Sequence, residues 1–231
     1  MIKNNAYKID HTNNTNSYTL YIKGSNNLKD EIYKSISDTK LLSSAFYNDD
    51  DDEDTSITFT AETVVTLTRF LTKGKLTNKK TIKMINDLSR QIAYLETNRF
   101  SFYGYNLDDI LVINEDTFFI ANIKHLLDIK KDNCIYFYNP IDRPYFSNFE
   151  LNKLTKLPSK IDYRSSYYSL GALILFCMTN VYIFAEIQDI EYVDVDIDID
   201  KILTPIAHTK LYWFLKRCFN KKSEDRILLF I

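Results

Sequence analysis

A chain of 231 residues suits one domain of ordinary size or two small lobes sharing a cleft. Its 45% hydrophobic and 26% charged residues fit a soluble globular protein, and a formal net charge of −2 argues against a broad nucleic-acid-binding face, which needs a surplus of Lys and Arg. Three scattered cysteines (Cys134, Cys177, Cys218) and three scattered histidines (His11, His125, His208) lack zinc or redox spacing, and the longest apolar run, 170–178, is too short to cross a bilayer.

The polar, Asn-rich stretch 1–17 has no apolar signal-peptide core and reads as frayed or loosely attached, which with the sparse cysteines predicts a cytoplasmic protein with no membrane partner. Residues 17–23 alternate as a strand does. Residues 28–37 place Leu28, Ile32 and Ile36 on one side of a short amphipathic helix. Residues 41–47 and 56–60 are strand-like, and the acidic run 49–54 between them reads as a solvated hairpin loop, without the glycine and ligand spacing of a calcium site.

From residue 61 the pattern becomes mainly helical. Residues 62–72 read as a helix ended by Lys73-Gly74-Lys75. Thr77 caps a longer helix, 77–98, with an apolar stripe of Ile82, Ile85, Leu88, Ile92 and Leu95. Residues 109–113 and 117–120 predict a hairpin, and 130–165, holding three of the four prolines, an irregular segment. Residues 167–178, apolar nearly all round, predict a buried helix; 211–219 predict another, and 224–231 the start of a last one. Asp194, Asp196, Asp198 and Asp200 alternate with Val and Ile, as in an extended segment with an acidic, solvated side that suits a basic partner surface. The expected class is α+β, with a β-rich unit over 1–61 and a mainly helical one over 62–231.

Five local patterns recur in a fixed order. Asp109-Ile110-Leu111-Val112 follows the long helix, and Ile120-Ala121-Asn122-Ile123-Lys124 is centred thirteen residues beyond Asp109. Then come Ser147-Asn148-Phe149-Glu150-Leu151, Tyr168-Ser169-Leu170-Gly171, and Phe214–Phe219 followed by Lys222-Ser223-Glu224-Asp225-Arg226. In this order they resemble the catalytic-loop N-I-L, the D-F-G segment, the A-P-E motif, the W-S-L-G helix and the C-terminal Arg turn of the protein-kinase superfamily. The resemblance implies a two-lobed fold with a reduced N-lobe, and an ion pair between Glu150 and Arg226 pinning two parts of the helical lobe together.

Phosphoryl transfer in that family needs a carboxylate to orient the attacking hydroxyl, a carboxylate and an Asn for Mg²⁺, and a Lys for phosphate. Carried over, the base position falls on Gly104, and the Lys two residues later is Asn106. The metal-binding Asp is Asn122, and Asp109 stands for the usual Asn, leaving one metal-capable carboxylate beside Asp108. No glycine-rich phosphate loop occurs. Lys23, at the end of Tyr21-Ile22-Lys23, and Glu31 are the candidate nucleotide-binding pair, eight residues apart.

The resemblance and its departures together imply a pseudokinase that binds a protein as scaffold, regulator or decoy and requires no cofactor. One alternative is a divergent serine/threonine kinase using ATP and Mg²⁺ through Lys23, Asp109 and Asp128. The other is a structural or virion-associated protein reusing the fold. The composition, rich in Tyr (17) and Phe (15) and poor in Gly (4), and the C-terminal segment are similar to kinase-like proteins of mimivirus-type giant DNA viruses, which would place the chain in host cytoplasm.

Overall fold

The computed structural model describes residues 2–3, 5–12, 16–42, 45–48, 55–152, 154–183 and 199–229. Both aspartate-rich stretches, apart from Asp200, lie outside them. The protein is a mixed α+β structure with small sheets.

The first part is an antiparallel five-stranded sheet in the order β1-β2-β3-β5-β4. Its strands are β1 (Ile2–Lys3), β2 (Tyr7–Thr12), β3 (Ser17–Ile22), β4 (Phe46–Asn48) and β5 (Ser56–Thr60). Helix α1 (Asn26–Asp38) follows the third strand. The stretch expected to fray is thus largely strand. Tyr7 and Ile9 alternate with Lys8 and Asp10, and they pair with Ile22 and Leu20. Both are fully buried. The period-two signal is only two apolar residues long, which is why the surrounding asparagines hide it. Ile32, Tyr33 and Ile36 of α1 join these residues in the core. The Tyr33 hydroxyl accepts from the Ile22 N–H at 2.7 Å and donates to the Thr55 carbonyl at 2.9 Å, fixing the helix to the sheet.

Residues 62–72 do not form one helix. The β-branched run gives β6 (Val64–Thr66), paired with the hairpin strand β8 (Ile110–Ile113), and only α2 (Leu67–Leu71) is helical, with Thr66 accepting from the Arg69 N–H as its cap. Helix α3 (Asn78–Thr97) lies where the sequence places it, capped by Thr77. After it come β7 (Phe100–Phe102) and β8, whose hairpin partner is β9 (Thr117–Ile120). Asn114 and Glu115, in left-handed conformation, make the turn.

The segment expected to be irregular contains paired strands. Within it β11 (Cys134–Phe137) joins β12 (Ser159–Asp162), with the one-turn α4 (Phe149–Asn152) between the two, and just ahead of it β10 (Leu126–Asp128) joins β7. Tyr103, Ile135, Phe137, Leu151 and Ile161 form a small core of their own here. Helix α5 (Ser165–Thr179) is buried on nearly every side and crosses α7 (Lys210–Cys218) closely. A Cβ on Gly171 would come within 2.9 Å of the Cys218 Cβ. Helix α6 (Ile199–Leu203) holds Asp200, which pairs with Lys216 at 2.6 Å. The expected last helix is absent among the described residues: after a 3-10 turn at Ser223–Asp225 the chain runs extended through Arg226. No helix among the described residues is long and apolar enough to cross a membrane.

Candidate functional site

A cavity of about 830 Å³ opens between the end of β3 and the segments flanking β8 and β9. That is the size of a small-molecule pocket. Lys23 and Gly24 line one side, and Asn106, Asp108, Asp109 and Asn122 the other, with Tyr145 at the edge. Four of the residues singled out from sequence therefore share one cavity: Lys23, Asn106, Asp109 and Asn122. Gly24 abuts the far wall, since a Cβ there would lie 2.2 Å from Ile123 Cδ1.

Glu31 is elsewhere. It lies on α1 near Tyr94 of α3, whose phenol is raised by burial foremost, then by Asp38 and Glu31, and it does not line the cavity. No ion pair joins it to Lys23 among the described residues, so the expected pair does not form. With only three residues between β3 and α1, the helix turns Glu31 toward α3 while Lys23 stays exposed at the cavity.

Asp109 is the centre of the site and is buried. Its Oδ2 accepts from Asn106 Nδ2 at 2.9 Å and its Oδ1 from Asn122 Nδ2 at 2.6 Å. Backbone groups fix the orientation of both amides. Asn106 Oδ1 accepts from the Tyr145 N–H at 2.7 Å, and Asn122 Oδ1 from the Lys124 N–H at 2.9 Å. Each asparagine therefore presents N–H, not oxygen, to the carboxylate. His125 Nδ1 stands 3.6 Å from Asp109 Oδ2 and is 3% exposed, with the Tyr103 ring packed edge-on against it. Tyr7 joins this region through a hydrogen bond from its hydroxyl to the Asp108 carbonyl at 2.8 Å. Burial foremost, then Asp109 and Asp108, raise its phenol above the ordinary range.

In the divergent-kinase alternative that the resemblance allows, Asp109, with Asp108 beside it at the cavity, would have to hold the Mg²⁺. A hard cation needs several oxygen lone pairs converging on it. Here both carboxylate oxygens are engaged by amide N–H groups, and both amide oxygens by backbone N–H groups. Among the described residues no three acidic, His or Cys side chains are placed to share a metal.

Gly104 has no room for a side chain of any kind. A Cβ would lie 2.2 Å from Pro144 Cγ and 2.7 Å from the Phe146 carbonyl oxygen. The adjoining Tyr105 exchanges two backbone hydrogen bonds of 2.9 Å with Phe146, so residues 144–146 are strapped across 104–106. Asp128 ends β10, is exposed, does not line the cavity, and pairs with Lys130.

Glu150 and Arg226 are brought together. Arg226 Nη2 donates to Glu150 Oε1 at 2.6 Å and its Nε to the Asn220 carbonyl at 2.9 Å, while the guanidinium lies 5.3 and 5.2 Å from the Phe149 and Tyr168 rings. Asn148, fully buried, ties this region to the site by donating to the Tyr103 carbonyl and to Ser169 Oγ.

Sequence reasoning missed His125 and Tyr145. His125 reads as one of three scattered histidines, and only the β7–β10 pairing carries it to Asp109. Tyr145 follows Pro144 in a stretch without periodicity. No protein-family model matches the chain, and no curated protein matches it.

Proposed function

We propose that the chain is a protein-kinase-like protein whose phosphoryl-transfer cleft has been dismantled, and that it acts by binding another protein as scaffold, regulator or decoy. The observation that carries this reading is the state of the cleft. Asp109, which stands for a metal-binding residue in the resemblance, accepts an amide N–H on each oxygen, from Asn106 and Asn122. The position of the catalytic base, Gly104, is filled by Pro144. A sheet with one helix, followed by a mainly helical remainder and the Glu150–Arg226 pair, supports a two-lobed kinase-like architecture divided near residue 61.

The phosphate side is equally poor. Lys23 lines the cavity without an acidic partner among the described residues, and the sequence has no glycine-rich loop to bring backbone amides close to a phosphate. The protein-binding role needs none of these groups, because fold and activity are separable.

Thermal unfolding with and without ATP, Mg²⁺ and Mn²⁺ tests the reading, together with transfer of labelled phosphate to a generic acceptor protein. The expected outcome is no metal-dependent stabilisation and no transfer. Metal-dependent stabilisation with transfer that disappears in Asp109→Ala would replace it with the divergent-kinase reading.

A further inference from the structure

The apolar stripe expected on α3 departs from expectation at one position. Ile82 is 38% exposed, while Thr81, Met84, Ile85 and Leu88 take the buried face. On a helix, positions three, four and seven apart share a face, so Lys79, Ile82, Lys83 and Asn86 form one outward strip. Arg90 continues it. Lys75, just before the Thr77 cap, extends the strip at its N-terminal end.

Compensation of charge on this face is incomplete. Lys73 and Lys80 share Glu115, at 2.7 and 3.1 Å. Lys83 reaches Asp87, a carboxylate already committed to the β9 backbone. Lys75 and Lys79 are exposed and have no acidic partner among the described residues, while Arg90 is exposed and shares the Asp87 carboxylate with Lys83. A chain with a net charge of −2 thus carries a local cationic surface around one exposed isoleucine.

We infer that this α3 face docks an acidic protein segment that carries an apolar side chain over Ile82. The inference rests on the protein-binding reading above and names the chemistry of the partner. Interfaces combine a desolvated apolar anchor with a charged rim that steers the encounter. Charge complementarity selects an anionic occupant, and Ile82 selects among anions. Single-stranded nucleic acid binds through exposed stacking aromatics as well as charge, and Phe70, the ring beneath Lys73 and Lys80, is buried. Insertion into a bilayer surface calls for a broad apolar face, and here it is a single residue.

The test uses the full-length protein and a fluorescent 14-residue peptide of Glu and Asp with a central Leu-Phe pair. A matched peptide carries Ser-Ser there, and an oligodeoxythymidylate and phosphatidylserine vesicles serve as the other anionic probes. The Leu-Phe peptide is expected to bind most tightly, more weakly as NaCl rises from 50 to 200 mM. Ile82→Ser should weaken it about tenfold. The double variant Lys75→Glu, Lys79→Glu should weaken it by at least about tenfold at low salt. Both substitutions are at exposed sites, and a far-UV circular dichroism melt checks that each variant folds. Equal affinity for the two peptides, no effect of either variant, or tighter binding of the oligonucleotide or vesicles would overturn the inference. Those failures leave the nucleotide and transfer assays untouched, so the two readings fall separately.

Discussion

Gly104 illustrates how one residue closes a site. In the kinase-like reading proposed above, a glycine in place of a carboxylate could simply leave that position empty. Instead Pro144 occupies the space, and the Tyr105–Phe146 hydrogen bonds hold it there. Gly104→Ala is therefore expected to destabilise the protein by about 1–3 kcal/mol, as overpacking does, in urea unfolding monitored by fluorescence. Gly104→Asp should cost more and restore no transfer, because a larger side chain must expel the strap before it reaches the cleft. A Gly104→Ala protein as stable as the wild type would show that the strap yields easily. Sequence alone reveals that a glycine stands where the kinase resemblance would put a base. It does not reveal that the position is filled, because Pro144 is forty residues away and no periodic pattern links the two.

At the scale of elements, α3 does more than supply an apolar stripe. Its Asp87 and Gln91, one turn apart, face the outer edge of β9. Asp87 accepts from the Phe118 N–H at 3.1 Å. Gln91 accepts from the Ile120 N–H at 2.7 Å and donates to its carbonyl at 3.0 Å. An edge strand would otherwise leave these groups unpaired in the interior. Burial raises the Asp87 carboxyl, and the Lys83 and Phe118 hydrogen bonds pull it back. Gln91 also donates to Ser35 of α1, so it joins three elements. Gln91→Leu should cost about 1–3 kcal/mol for each backbone group it orphans, measured by chemical denaturation. A loss under 1 kcal/mol would mean that water or a neighbour replaces the amide.

The C-terminal Arg turn behaves in the same way. Arg226 has no exposed side-chain surface, so Glu150→Ala would strand a buried guanidinium. A loss of about 3–5 kcal/mol is expected, with Arg226→Met milder because Glu150 keeps some contact with water. Equal losses in the two variants would argue that packing, not charge, holds the turn.

Across the whole molecule, a proton-linked effect that falls between pH 4.5 and 7 centres on Glu96, near the end of α3. Burial raises its carboxyl to about 7, against an ordinary value of 4.5; the Tyr167 hydrogen bond and Arg164 oppose the shift, and Asp162 adds to it. Tyr167 donates to Oε2 at 2.7 Å, while Oε1 is buried without a partner. The folded protein therefore holds this proton more tightly than the unfolded chain does. Stability is highest below about pH 4.5 as far as this group is concerned, falls as pH rises toward 7, and levels off above it. Melting temperature measured from pH 5 to 8 should fall in the wild type and stay flatter in Glu96→Gln. Parallel profiles for the two proteins would assign the pH dependence to other groups.

The sequence by itself determined what local chemistry controls. Helix α3 with its Thr77 cap, the Asn114-Glu115 hairpin, the buried α5 and the α+β class all rest on periods and turn residues within a few positions of one another. It also supplied the inventory of the cleft: a glycine, two amides and a carboxylate at positions 104, 106, 122 and 109. Tertiary structure alone decided how these act. The β7–β10 pairing brings His125 to Asp109, the backbone at Lys124 and Tyr145 turns two amide N–H groups onto that carboxylate, and the strap at 144–146 fills the space at Gly104. The α1 helix turns Glu31 away from Lys23, and the core takes Met84 and Ile85 while leaving Ile82 outside. Each of these depends on a contact between segments distant in sequence or on the rotation of an element about its axis, and neither leaves a periodic trace in the chain.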